Sequence, residues 1–436
     1  MRWIEVLFVM CVAGCASDSD DAAVAADGSG GEATSSGTGG HADSGTGGSR
    51  VTGGGATGTG GKGGTGGSPV LVDAGAPGTW VDISPFGFPG AFGLAVSPAA
   101  PGTVYVNVNS KDGWPPGDDP KSGIFKSTDG GNSWGSGPIG TVFKNYDGSS
   151  YNGVNPWQQG VSWTIAVDPT DANVVYAHCS FAGPQGPWKS TDGGNTWRYL
   201  FTSTDNSNMT PDVYAITIDP RDHLHVLITF HSPWAQNVAG GAGIAESADG
   251  GSTWTEHAPR ASWGAGHYVF FLGQDDAGAP SSQAWILATQ GNGYWRTMDA
   301  GQTWTQVSST YNMQHGGGGM YRASTGVLYM GATNHLLRST DNGKTWSDTG
   351  APSNSDGYNA VIGDGTRLYV QSANTGKNTT GPQAYYSSLE TDGTHWAAYN
   401  SQLFADGPGW MAFDAVNRIV YASHWDAGLW RLKTGN

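Results

Sequence analysis

The side chains best suited to chemistry in this sequence are carboxylates, imidazoles and aromatic rings gathered in a few long connections rich in Gly and Pro. They fall in NSKDGWPPGDDPKS (Asn109 to Ser122), FKNYDGSSYNGVNPWQQG (Phe143 to Gly160), HCSFAGPQGPW (His178 to Trp188), FHSPWAQN (Phe230 to Asn237), EHAPRASWGAGH (Glu256 to His267), TYNMQHGGGG (Thr310 to Gly319) and SHWDAG (Ser423 to Gly428). Exposed indole and phenol rings beside amides and hydroxyls suit a sugar, whose C–H faces stack while its hydroxyls take hydrogen bonds. On that reading Trp114, Tyr151, Trp157, Trp188, Trp234, Trp263 and Trp425 are candidate binding rings, with His231, His267 and His315 as polar partners. The competing reading is that these rings pack under their own loops. Acid–base cleavage of a glycosidic bond needs two carboxylates, one with a raised pKa; Asp112, Asp118, Asp119, Asp147, Asp205 and Asp426 are candidates, and Asp112, Asp147 and Asp426 would share a cleft if the chain closes into a ring. His178 and His424 each end a strand-like run and are candidates for a general base or a substrate hydrogen bond. The histidines lack an H-x-x-x-H or similar spacing, so neither metal nor other cofactor is expected.

The elements that must position these loops follow from a repeat. KSTDGGNSW (Lys126 to Trp134) returns as KSTDGGNTW (Lys189 to Trp197), ESADGGSTW (Glu246 to Trp254), RTMDAGQTW (Arg296 to Trp304) and RSTDNGKTW (Arg338 to Trp346). A Ser or Thr precedes each Asp by two, a Gly follows by two, and a Trp follows by five. The hydroxyl and carboxylate can satisfy the turn's own N–H groups, the Gly supplies a positive φ, and the Trp is an apolar anchor between neighbouring sheets. Around each copy run short strand-like segments, as in VSWTIAVD, NVVYAHCS, PWKS and TWRYL, with no amphipathic helix. Seven such units can be counted, the sixth with a degenerate turn (ETDGTHW) and the seventh lacking its fourth strand. Thr79 to Ile83, TWVDI, matches the missing piece, so the first strand is expected to pair with the last unit and close a ring. The expectation is an all-β chain forming a single seven-bladed β-propeller with four-stranded antiparallel blades; six blades is the alternative if the fifth or sixth unit is misread.

The motif S-x-D-x-G-x-x-W resembles the Asp-box, or BNR repeat, shared by sialidases, xyloglucanases, sortilin-type receptors and a photosystem II assembly propeller. The resemblance covers five units closely and speaks for fold more than activity. It implies that Asp129, Asp192, Asp249, Asp299 and Asp341 are structural and that a ligand would lie on the opposite face, among the loops above. Sialidases also use an Arg cluster and a Tyr–Glu pair, whereas here only scattered Lys144, Arg260 and Arg322 are available, so that activity is disfavoured. Xyloglucanases are similar in blade texture but use two propellers facing across a cleft. A lyase using His and Tyr is a third possibility, weakened by the same shortage of cations. Two classes of function remain: a protein that binds or cleaves a polysaccharide, or a non-catalytic propeller scaffolding an envelope or extracellular complex.

Charge and termini limit the setting. With 36 acidic against 20 basic residues the net charge is -16, which supplies no basic stripe for nucleic acid and no patch for anionic lipid. Residues 2–13 form a short apolar run ending in Val12-Ala13-Gly14-Cys15, which resembles a lipoprotein signal with cleavage after residue 14 and lipid on Cys15. Residues 15–78 are mostly Gly, Ser, Thr and Ala, a composition that cannot bury a core, and would span roughly 40–50 Å as a flexible coil. An exported monomer tethered only through that lipid, with the propeller over residues 79–436, is the expectation. Cys179, the one thiol within the propeller, reads as a small buried hydrophobe.

Overall fold

The computed structural model describes residues 72–109, 119–180, 185–201, 212–234, 240–315, 318–353, 357–372 and 381–435. Asp112, Trp114, Asp118, Asp205, Cys15 and the signal-like segment lie outside the described residues. The described chain forms seven sheets arranged as a β-propeller, antiparallel apart from one added strand in the second, and the only α-helix among the described residues is the single turn Pro156–Gln159.

Each blade runs outward from strand A to strand D. The third blade shows the plan: Val213–Ile218, Val226–Phe230, Ile244–Ser247 and Thr255–His257 pair in that order. Strand B is buried along its whole length (VLITF) because neighbouring blades cover both its faces, whereas strand D (TEH) sits at the rim and is polar. The innermost strands converge on one apolar cluster that includes Phe92, Trp163, Tyr214 and Tyr268, with Trp410 and Trp425 packed against it.

The repeated aspartate turn behaves as a self-contained hydrogen-bonded unit. Ser127 Oγ donates to Asp129 Oδ1 (2.7 Å) and accepts from Gly131 N (2.8 Å), while Asp129 Oδ1 accepts from Ser133 N (2.9 Å). The same three bonds recur around Asp192, Asp249, Asp299 and Asp341. Two successive left-handed residues build the turn; where the first is not Gly it is Ala300 (φ 51°) or Asn342 (φ 60°). In two of the turns the Trp also bonds back to the preceding blade: Trp134 Nε1 donates to Ile83 O (2.7 Å) and Trp254 Nε1 to Leu200 O (3.2 Å). Gly130 N donates to Gly102 O and Gly250 N to Leu224 O, so the aspartate turns share one face of the ring with the A–B turns. The B–C and D–A connections therefore emerge on the other face.

The seventh blade contains Pro408–Asp414, Ile419–His424 and Gly428–Lys433, and its outer strand is Trp80–Asp82, with Trp80 opposite Leu432 and Asp82 opposite Trp430. This is the closure expected from TWVDI. Two blades depart from the four-stranded plan. The first has only Gly90–Val96, Val104–Asn109 and Gly123–Ser127, because GSGPIG after Trp134 has the Gly and Pro content that strands exclude, and only an isolated bridge, Ile124 to Ile139, remains. The chain crosses instead to the second blade, where Val142–Lys144 adds a fifth strand parallel to Thr196–Tyr199.

Candidate functional site

Among the described carboxylates, Asp406 is set apart by its surroundings. It lies in the short connection between the sixth and seventh blades, with 4% of its surface exposed. Gly407 N donates to its Oδ1 (2.8 Å) and Asp426 N to its Oδ2 (3.2 Å). Burial pushes its pKa up to about 7; the amides oppose the shift and the Asp426 carboxylate adds to it. Asp426 itself is exposed in the B–C turn of the seventh blade. Two neighbouring carboxyl groups thus sit on the loop face, one kept neutral up to about pH 7 and one open to solvent.

The floor beneath this pair is rigid. Tyr385 is fully buried, stacks on Trp80 (centroids 4.2 Å apart) and shares a 2.7 Å hydrogen bond with His424 Nε2. Burial and, secondarily, the Asp406 charge push the Tyr385 hydroxyl far above its usual range. Next to Asp426, Trp425 is half-buried, with its ring 4.8 Å from Trp163 and 5.9 Å from Phe92. Ring closure by Trp80 and the site's floor therefore share the same side chains.

The histidines expected to act as bases do not reach solvent. His424 and His178 are fully buried, and burial drives each pKa down to about 3. Thr164 N donates to His178 Nε2 (3.3 Å), leaving Nδ1 to carry the proton toward Ser180 Oγ (3.0 Å), which in turn donates to Val213 O (2.7 Å). His178 is thus a neutral brace between the second and third blades. His267 is likewise buried, on Ala242 O (3.1 Å).

The aromatic candidates divide sharply. Trp157, Trp188, Trp234 and Trp263 are each no more than 2% exposed, so no ring face is open to a sugar. Trp157 and Trp188 pack with Trp197 and Phe143, Trp234 with Phe230, and Trp263 with Trp304 under Arg260. The packing reading holds for all four. Tyr151 is half-buried against Phe143 and Trp188. Asp147 caps its own turn, accepting from Ser149 N (2.9 Å) and Oγ (2.6 Å), beside the added fifth strand of the second blade. The neighbouring Tyr146 hydroxyl donates to Ser252 O in the third blade's aspartate turn, which places this hairpin on the rim and away from Asp426.

A second polar cluster gathers His231 and His315. His231 Nδ1 pairs with Asp212 Oδ2 (3.1 Å), which also accepts from Ser232 Oγ (2.5 Å). Gln290 Nε2 donates to Tyr214 Oη (2.5 Å) and lies 2.9 Å from His315 Nδ1, and the two imidazole centroids are 5.5 Å apart. Burial and His231 push His315 down to about 4. Among the described residues no group of three or more His, Cys, Asp and Glu is placed to hold a metal ion. Sequence reasoning missed Asp406, Tyr385, Asp212, Tyr214 and Gln290. Only SQLFADGPGW, an Asp directly before an inner strand, offered a signal for the first.

Comparison with known proteins agrees with this architecture. No family model matches the chain. It is 28% identical over 289 residues to the xyloglucanase of Hypocrea jecorina (strain QM6a), an alignment covering 58% of this chain and 32% of that enzyme. The chain thus spans about a third of the length of the curated relative it matches. The GH74 xyloglucanase from Xanthomonas campestris superposes with a TM-score of 0.54 at 18% identity, over 82% of this chain and 53% of that one. YCF48 from Cyanidioschyzon merolae superposes with a TM-score of 0.51 at 13% identity, over 82% of this chain and 98% of that one. At these identities the structural likenesses establish the fold, a β-propeller of the kind seen in xyloglucanases and in YCF48.

Proposed function

We propose that this propeller binds a polysaccharide on the loop face and hydrolyses it at Asp406 and Asp426. The carrying observation is the pair itself: Asp406, held protonated to about pH 7 by burial, beside the exposed Asp426 and the half-buried Trp425. In this reading Asp406 donates its proton to the glycosidic oxygen as the C–O bond breaks. Asp426, as carboxylate, stabilises the developing positive charge at the sugar carbon or activates the attacking water. Trp425, braced by Trp163, offers a ring for the sugar face. The sequence likeness to a xyloglucanase supports a xyloglucan-like glycan as the first substrate to try, and the Asp-box reading of the repeated turns supports the choice of face.

The test is release of reducing sugar from a panel of plant and bacterial polysaccharides. Asp406→Asn and Asp426→Asn are each expected to lower the rate by about 100-fold or more, with polysaccharide retardation in affinity gels retained. Full activity in either variant removes the reading. Activity should fall as pH rises through about 7, where Asp406 loses its proton. A second reading, a lyase, is favoured by the Asp212–His231 pair beside Tyr214 and His315, and would appear as unsaturated, ultraviolet-absorbing product with activity surviving both Asn changes. A copurifying protein partner with no sugar release would instead support a scaffold. Export and lipid attachment at Cys15 belong to the same proposal; Cys15→Ser should move the protein from the membrane to the soluble fraction.

A further inference from the structure

The second blade carries a row of three positive charges, of which the recurring contacts between blades use only one. Lys189 and Arg198 are direct cross-strand partners, and Arg198 is in turn opposite Lys144 on the added parallel strand. Three cations therefore stand in register on three neighbouring strands, where like charges repel; Asp168 and Asp249 act on Lys189 and Asp147 on Arg198, which offsets part of that repulsion. The chain has only 20 Lys and Arg in all against 36 acids, so three at one place is a concentration.

Lys189 has a structural duty, donating to Gly250 O (2.7 Å) in the next blade. The other two do not repeat around the ring. The residue after the turn's Trp is Arg198 here but Gly135, Thr255, Thr305 and Ser347 elsewhere. Arg198 Nε donates to Tyr146 O (2.7 Å) and its guanidinium lies over the Tyr146 ring, which orients the group and leaves its Nη donors available. Lys144 is exposed, and its ammonium group makes no hydrogen bond or ion pair within the described chain. All three line one cavity of about 340 Å³, together with the hydroxyl residues Thr191, Thr196 and Ser252. The one carboxylate in the lining, Asp192, has its Oδ1 engaged by Ser190 Oγ and Thr196 N.

We propose that this cavity binds an oxyanion, a carboxylate or sulfate group, held by Lys144, Arg198 and Lys189 and oriented by the hydroxyls. Charge-assisted bonds to such a group are among the stronger polar contacts available, and a planar guanidinium suits two oxygens at once. The cavity lies on the rim beside the third blade's aspartate turn, away from Asp406, and is independent of hydrolysis there. Its oxyanion could be a substituent on a polysaccharide or a free ion.

Titration calorimetry on the intact chain with inorganic sulfate, glucose 6-sulfate, glucuronate and neutral glucose decides the matter. Saturable binding of the charged probes at millimolar concentration or better, without binding of glucose, is expected. Lys144→Gln should weaken it by about tenfold and Lys144→Gln/Arg198→Gln by about 100-fold, with the melting temperature of the single variant unchanged. Tighter binding of the sugar oxyanions than of sulfate identifies a polysaccharide substituent; the reverse identifies a free ion. Equal binding of glucose and glucuronate, or affinity unchanged in both variants, overturns the proposal.

Discussion

At the scale of single residues, the distinguishing property of Asp406 is that the fold works against its ionisation, and this is measurable apart from any activity. Its pKa rises from 3.8 to about 7 on folding. The unfolded chain therefore releases this proton first, and the contribution of the neutral carboxyl to stability is complete below pH 3.8 and lost as pH climbs to about 7. Above that, holding the carboxylate costs up to about 4 kcal/mol. Asp406→Asn removes the ionisation but sets an NH2 against one of the two amides that the carboxyl accepts from, so it should cost about 1–3 kcal/mol at pH 4 and less, or nothing, at pH 8, where the native carboxylate carries its own cost. Urea midpoints at the two pH values check this, and a difference between variant and native protein that is the same at pH 4 and pH 8 would show that the carboxyl is not held neutral. The sequence could not single out Asp406, because what raises its pKa is burial and the approach of Asp426, both of which come from distant chain. It equally could not separate Trp425 from Trp157 or Trp188, since composition places all three in aromatic loops and only packing decides which ring is covered.

At the scale of elements, the blades are fastened by one recurring contact. The basic residue before the Ser or Thr of the turn donates to the carbonyl just after the Asp in the next blade: Lys126 to Gly193, Lys189 to Gly250, Arg296 to Asn342. Arg431 does the same to Gly130 and so fastens the seventh blade to the first. The turns were legible in sequence because their bonds are local, whereas these clamps were not, because they join residues from 46 to 301 positions apart. In the third blade the clamp position is Glu246, and a charged network replaces it. His225 Nε2 lies 2.8 Å from Glu246 Oε1 and its Nδ1 3.6 Å from Asp219, while His257 Nε2 lies 2.7 Å from Glu246 Oε2. Burial opposes protonation of His225, but the carboxylates outweigh it and lift the pKa to about 9; the imidazoles hold Glu246 down to about 2 against its own burial. The raised His225 contributes fully below pH 6.5 and loses its contribution as pH rises through about 9, and the depressed Glu246 loses its own as pH falls from 4.5 toward 2. His225→Gln should cost about 2–3 kcal/mol at pH 6 and flatten the decline in stability between pH 6.5 and 9. An unchanged slope across that range would mean His225 is neutral in the folded protein.

At the scale of the whole molecule, the ring is closed by Trp80–Asp82, ahead of the first blade, pairing with Gly428–Lys433 of the seventh. Trp80 is opposite Leu432, and Val72 N donates to Asn417 Oδ1 (2.8 Å), so this segment is anchored to the seventh blade at more than one point. That closure was readable because TWVDI keeps the pattern of TWRYL; its consequence for the site was not, because Trp80 acts through Tyr385, a residue in another blade. Without residues 72–83, Gly428–Lys433 would become a free edge carrying Leu429, Trp430 and Leu432, the kind of edge that recruits other chains. Tyr385 would lose its stacking partner and the floor under Asp406 its rigidity. A chain beginning at Ser84 is therefore expected to associate in light scattering and to melt without a single cooperative transition, while one beginning at Gly67 should melt as the full chain does. Supplying a peptide of residues 72–84 in trans should restore the monomer and the transition together, since it returns both the outer strand and the Trp80 ring. A monomeric, cooperatively melting protein that lacks the segment would show that the blades hold together by their clamps alone, with the closing strand dispensable.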